Sequence, residues 1–153
     1  MAKALCQAQA AARKGEVPVG AVVVREGSIV ARAHNLRETR RDPAAHAELI
    51  ALQRAAKKLG GWRLMDCTVY VTLEPCPMCA GAMINARVAR VVFGAFDPKA
   101  GCCGTLYQLI QDGRFNHTCP VTGGVLEAEC AGILKEFFAR KRRNNRDTRR
   151  DDP

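Results

Sequence analysis

Four short, β-branched apolar runs set apart by turn and helix signals constrain this chain more than any other feature. Residues 17–24 form the first, and Ser28-Ile29-Val30-Ala31-Arg32 forms the second, after the turn signal Glu26-Gly27. Thr68-Val69-Tyr70-Val71-Thr72 and residues 88–94 follow, with a weaker fifth run at Pro120-Val121-Thr122. Helices are predicted between and around these runs. The first covers the alanine-rich residues 2–14 and ends at Gly15. The second begins with Asp42 as N-cap and Pro43 at the first position, and runs through Leu59 to a stop at Gly60-Gly61. Further helices are predicted over 75–84, 106–111 and 126–143. Strands that alternate with helices imply an α/β sandwich, with an antiparallel hairpin at one edge of the sheet and parallel strands beyond it.

At 153 residues the chain is long enough for one domain with its own core. No apolar run is long enough to span a bilayer, and Met1-Ala2-Lys3-Ala4-Leu5-Cys6-Gln7 lacks the apolar core of a signal peptide, so a cytoplasmic setting without membrane association is expected. In a reducing compartment, clustered cysteines bind metal or do chemistry and scattered ones act as small core hydrophobes. Of the eight cysteines, Cys6, Cys67, Cys119 and Cys130 are scattered, Cys102-Cys103 reads as buried packing, and Cys76 and Cys79 form a CxxC. The net charge is +9 and is uneven: from Lys135 onward eight basic residues face four acidic ones. Such a cluster either attracts a polyanion such as RNA or is simply a solvated helix end.

Two short motifs carry the chemistry. His46-Ala47-Glu48 lies near the start of one predicted helix, and Pro75-Cys76-Pro77-Met78-Cys79 opens another. Cysteines three apart on a first helical turn face one point, where the positive end of the helix dipole favours thiolates. One imidazole and two thiolates make three ligands for zinc and leave a fourth position open, as in catalytic rather than structural sites. Glu48 then fits a proton carrier beside the open position. Each element alone has a plainer reading: a lone histidine is ordinarily a core or surface residue, and a lone CxxC a clip or a redox pair. Neither plain reading accounts for the glutamate.

The combined pattern resembles the zinc-dependent nucleobase deaminases of the cytidine deaminase-like superfamily. Within it, the chain is most similar to the bacterial tRNA-specific adenosine deaminase (TadA) family, through Glu16-Val17-Pro18-Val19-Gly20-Ala21, the two motifs above, the segment 93–101 containing Asp97-Pro98-Lys99, Asn116-His117, and the last helix with Phe137-Phe138 and Arg140-Lys141-Arg142-Arg143. The resemblance implies a three-layer α/β/α fold with a mixed five-stranded sheet, a deaminase domain over 1–143 and a basic, disordered tail over 144–153. It also implies one Zn2+ per chain on His46, Cys76 and Cys79, and a homodimer. In that family water activated at the metal attacks C6 of the wobble adenosine in an arginine tRNA anticodon stem-loop, Glu48 moves the protons, and inosine and ammonia leave.

By the same resemblance Asn35 and the backbone of Ala47 contact the purine, Val17 and Pro18 line its pocket, Asp97 lies near the ribose, and Phe138 and Arg142 sit beside the anticodon loop. Val17 also reads as plain core, Asp97 as a loop cap, and one ring of the Phe pair as the buried face of a helix. Two rival functions share the motifs: a deaminase of free bases or nucleosides, and a non-catalytic zinc-stabilised RNA-binding module, which would not need Glu48.

Overall fold

A computed structural model describes residues 1–147 of the chain. In order it contains α1 (Ala2–Arg13), β1 (Gly20–Arg25), β2 (Ser28–His34), α2 (Arg37–Arg40), α3 (Ala47–Leu59), β3 (Cys67–Leu73), α4 (Pro77–Asn85), β4 (Arg90–Ala95), β5 (Val121–Thr122) and α5 (Glu127–Asp147). The five strands form one sheet in the order β2-β1-β3-β4-β5. β1 runs antiparallel to both β2 and β3, and β3, β4 and β5 run parallel.

Register explains the layers. Side chains alternate faces along a strand, and the pairing sets Ala33, Ala21, Val71 and Phe93 in one row and Ala31, Val23, Val69 and Val91 in the next. This face joins Ile50 and Ala51 of α3 and Ala80 and Met83 of α4 in the main hydrophobic core. The other face meets α1 and α5. There, a Cβ on Gly20 would strike the backbone of Ala4 and Ala8, and one on Gly94 would strike Cys130, so glycine lets both helices approach the sheet. The result is the expected α/β/α fold with a mixed five-stranded sheet.

Three local expectations differ. The helix expected from Pro43 begins at Ala47, with His46 as N-cap. Asp42 spends its carboxylate on the Ala44 N–H (2.8 Å), and the Ala45 carbonyl is taken by the Leu36 N–H (3.0 Å), which holds residues 42–45 in a turn. The helix expected over 106–111 is a bridged loop: Leu106 and Leu109 donate to the carbonyls of Gly101 and Cys102, and Cys103 pairs with Gln108. α2, four residues long, was not foreseen. The last helix continues to Asp147, past its expected end at Arg143, and the rest of the tail expected over 144–153 lies outside the described residues. Among the described residues no helix is long and apolar enough to cross a membrane.

Candidate active site

Both motifs sit at the N-termini of helices that begin beneath the core face of the sheet. His46 is the N-cap of α3 and Cys76 the N-cap of α4, each in extended backbone conformation, with Pro77 opening α4. Two helices therefore aim their positive ends at one point. His46 Nδ1 lies 3.7 Å from Cys76 Sγ and 3.6 Å from Cys79 Sγ. Among the described residues this is the group of three whose ligand atoms converge, all within 4.8 Å of one another. For a tetrahedral ion with Zn–S of about 2.3 Å and Zn–N of about 2.0 Å, the N···S edge is about 3.5 Å, so the donors come close to the ion's spacing as well as matching it by type.

Protonation tells the same story. Hydrogen bonds from Cys79, and then from His46, lower the Cys76 thiol to about 4. The Cys79 thiol is pushed up because it is the donor in that pair, and the His46 imidazole is raised chiefly by its bond to Cys76. Protons here occupy a place where a cation would satisfy all three ligands at once. Glu48, in the first turn of α3, is buried, and its Oε2 has no hydrogen-bond partner among the described residues. Burial raises its pKa. An unpartnered carboxylate oxygen in such a position is an expensive group unless a ligand or proton meets it.

A cavity of about 220 Å³ opens in front of this cluster. Val17, Asn35, His46, Ala47, Glu48, Cys76 and Asp97 line it, together with Arg37, Leu73 and Glu74. Ala47 is the first residue of α3, so its N–H is one of the helix's spare donors. Pro18 is buried next to Val17 and does not reach the cavity wall. Asp97 is both lining and loop cap, with Oδ1 accepting the Lys99 N–H at 2.9 Å and the Ala100 N–H at 3.3 Å. A second, larger cleft of about 630 Å³ shares Val17, Leu73 and Asp97 with the first and continues along Phe96, Lys99, Lys135, Phe138 and Arg142. Phe137 is buried and Phe138 is 41% exposed, which divides the pair between core and cleft.

Sequence reading missed two carboxylates that build the site. Glu16 holds Asn35 and α2. Glu74 is buried, with Oε1 accepting the N–H groups of Cys103 and Thr105 (3.0 Å each) and Oε2 accepting the Asp97 N–H (3.0 Å) and the Thr105 hydroxyl. A Cβ on Gly101 would collide with this carboxylate, so glycine is required there. Glu74 carried a signal, an acidic residue set between the apolar Val71-Thr72-Leu73 and Pro75, whereas Glu16 follows Arg13-Lys14-Gly15 and carried none. Cys102 and Cys103 are buried, as are Cys67, Cys119 and Cys130, but Cys6 is exposed on α1 rather than in the core.

Burial alone would raise the pKa of Glu74, but the bonds from Thr105, Asp97 and Cys103 outweigh it and the pKa is lowered. Its contribution to stability is therefore complete above the unfolded value of about 4.3 and is lost as pH falls through the folded value. Glu74→Gln, with one acceptor oxygen for four donors, is expected to cost about 3 kcal/mol at neutral pH. Thermal unfolding should also show a smaller loss of stability between about pH 5 and pH 3 in the variant than in the parent. Equal pH slopes would remove this role.

Across residues 1–142 the chain matches the family described as MafB19-like deaminase. It is 56% identical over 151 residues to the tRNA-specific adenosine deaminase of Bacillus subtilis, with 99% of this chain and 94% of the relative covered. The tRNA-specific adenosine deaminase of Haemophilus influenzae is 47% identical over 143 residues, covering 93% and 83%. A solved structure from a study of A-to-I editing by tRNA:A34 deaminases at the wobble position is similar with a TM-score of 0.84 and 40% identity, covering 88% of this chain and 97% of that one. A guanine deaminase from Nitrosomonas europaea is similar with a TM-score of 0.77 at 28% identity, covering 90% and 82%.

Proposed function

The chain belongs to the tRNA-specific adenosine deaminase family, and on that premise we propose that it hydrolyses the wobble adenosine of an arginine tRNA anticodon to inosine, with release of ammonia. The observation that carries this reading is the continuity of the catalytic cavity with a cleft that offers an exposed ring, Phe138, and the cations Lys99, Lys135 and Arg142. A free base needs only the cavity. A nucleotide in a single-stranded loop needs somewhere to lay its neighbours and phosphates, and such a loop lets its base turn outward at small cost.

The cofactor in this reading is zinc, one ion per chain, held by His46, Cys76 and Cys79. Bound there, it supplies the Lewis acidity that brings the pKa of a water molecule near neutrality. The chain's own groups do the rest. Asn35 and the Ala47 N–H orient the nucleoside, Val17 and Leu73 wall the base away from solvent, and Asp97 faces the ribose. Glu48 takes the proton of the attacking water and delivers it to N1 of the purine. When the C6–N6 bond breaks, Glu48 passes the second water proton to the departing amine. Burial raises its pKa, which favours the protonated form from which protons are returned.

Residues 1–143 act as the deaminase domain of a cytoplasmic protein, and the cations it offers to RNA lie at Arg140, Lys141, Arg142 and Arg143, since residues 144–153 carry as many acidic as basic groups. A homodimer accords with the shallow groove of about 330 Å³ between α3 and α4, lined by Leu49, Trp62 and Ala82, and with the exposed Met65 beside it. Sedimentation of the purified protein as a monomer would remove the dimer.

The deciding assay offers an anticodon stem-loop with the sequence ACG, free guanine and cytidine in parallel. Inosine at the first anticodon position, with the free compounds untouched, is the expected result. An inert stem-loop with guanine deaminated would place the protein with the free-base enzymes. Arg142→Ala is expected to weaken stem-loop binding and to reduce the slope of log affinity against log salt by about 0.7. An unchanged slope would return Arg142 to solvent.

A further inference from the structure

Glu16 lies between α1 and β1 with none of its surface exposed (0%). Its Oε1 accepts the Thr39 N–H at 2.7 Å, and its Oε2 accepts the Glu38 N–H at 3.2 Å and the Asn35 Nδ2 at 3.3 Å. Glu38 and Thr39 are the second and third residues of α2, whose own N-cap, Leu36, has no side-chain oxygen to offer. Glu16 thus caps α2 from more than twenty positions away in the chain. A helix of four residues has no stability of its own, so this carboxylate holds Arg37 of α2 at the cavity wall.

The bond to Asn35 has a chemical consequence. An ionised carboxylate can only accept, so the atom of the Asn35 carboxamide that meets Glu16 must be its NH2 group. The otherwise interchangeable ends of the amide are thereby assigned. Asn35 Oδ1 has no protein partner among the described residues, and Asn35 lines the cavity. We propose that Glu16 is a positioning residue for the reaction: it locks the Asn35 carboxamide so that its acceptor oxygen is the end presented to the bound nucleoside, where an N–H of the base or an O–H of the ribose can donate to it. This rests on the deaminase reading above. It adds the element that sets the polarity of the contact.

Glu16→Gln tests it because the change is nearly isosteric and inverts one end of the group. The new NH2 cannot accept, so either a backbone N–H of α2 loses its acceptor or the Asn35 amide turns over and shows the cavity a donor. In a double-mutant cycle on the stem-loop, Glu16→Gln and Asn35→Ala are each expected to lower kcat/KM by at least about tenfold. The double variant should fall no more than about threefold below Asn35→Ala alone, because one role is being removed twice. Effects that multiply to about a hundredfold would overturn the proposal, since a carboxylate that merely holds the fold acts independently of Asn35.

The wild-type rate in the same series separates the two readings. Its absence removes the deaminase proposal, whereas normal wild-type turnover with multiplying variants removes only the role of Glu16. Should Glu16→Gln fail to fold, the unaltered protein still decides. Its Asn35 side-chain NH2 protons are expected to exchange with solvent at least about tenfold more slowly than those of a free carboxamide. Exchange at the free rate would overturn the lock.

Discussion

Replacing Glu48 with alanine is expected to lower kcat on the anticodon stem-loop by about 100- to 10,000-fold while the zinc content of the protein stays at the parent level. The two halves of this result come from different features of the site. Metal retention follows because the converging donors are His46, Cys76 and Cys79, and Glu48 is not among them. Loss of turnover follows because Glu48 Oε2 is a buried carboxylate atom with no hydrogen-bond partner among the described residues, which leaves it free to carry protons. Glu48→Gln keeps the shape and cannot cycle a proton, so it should lose about as much. A Glu48→Ala protein that turns over normally would take the proton-carrier role away. One that loses zinc would make Glu48 part of the metal site instead.

Cys79→Ala should do the opposite. Cys79 is fully buried on α4, one helical turn beyond the N-cap sulfur of Cys76, and its sulfur is one of the three converging donors. Metal affinity is expected to fall by more than about 100-fold, and turnover with it. Stability should fall too, because an ion that binds only the folded state stabilises it by about 4 kcal/mol at a thousandfold excess over its Kd. In a chain of this size that corresponds to a drop in Tm of about 10 °C, which treatment of the parent protein with a chelator should reproduce. If the chelated protein melted at the parent temperature while its metal content had fallen to zero, the coupling between site and fold would be absent.

The difference between these two variants shows what was legible in the sequence. The convergence of His46, Cys76 and Cys79 beside Glu48 was legible because the spacings are local: His46 and Glu48 share a helix start, and Cys76 and Cys79 share a turn. The strands were legible for the same reason, since a short β-branched apolar run bounded by turn signals is a local pattern. What could not be read was set by partners distant in the chain. Asp42-Pro43 has the form of a helix start, yet its backbone is drawn into a turn by Leu36, and the cap falls to His46, which moves the imidazole onto the helix end. α2 exists because Glu16 caps it, a contact spanning more than twenty residues. A helix was expected over 106–111, but Leu106 and Tyr107 are exposed and their segment is organised by carbonyls of Gly101 and Cys102 and by Glu74. The buried carboxylates Glu16 and Glu74 hold the cavity walls in place, and composition alone gives no reason for either to be inside.

The account stands or falls on the surroundings of the metal, and X-ray absorption at the zinc edge of the purified protein reads them directly. It predicts two sulfur neighbours at about 2.3 Å and two lighter neighbours at about 2.0 Å, the imidazole of His46 and one exchangeable ligand not supplied by the protein. A third sulfur, which Cys102 would have to provide, would close the position that substrate chemistry needs and contradict the catalytic reading.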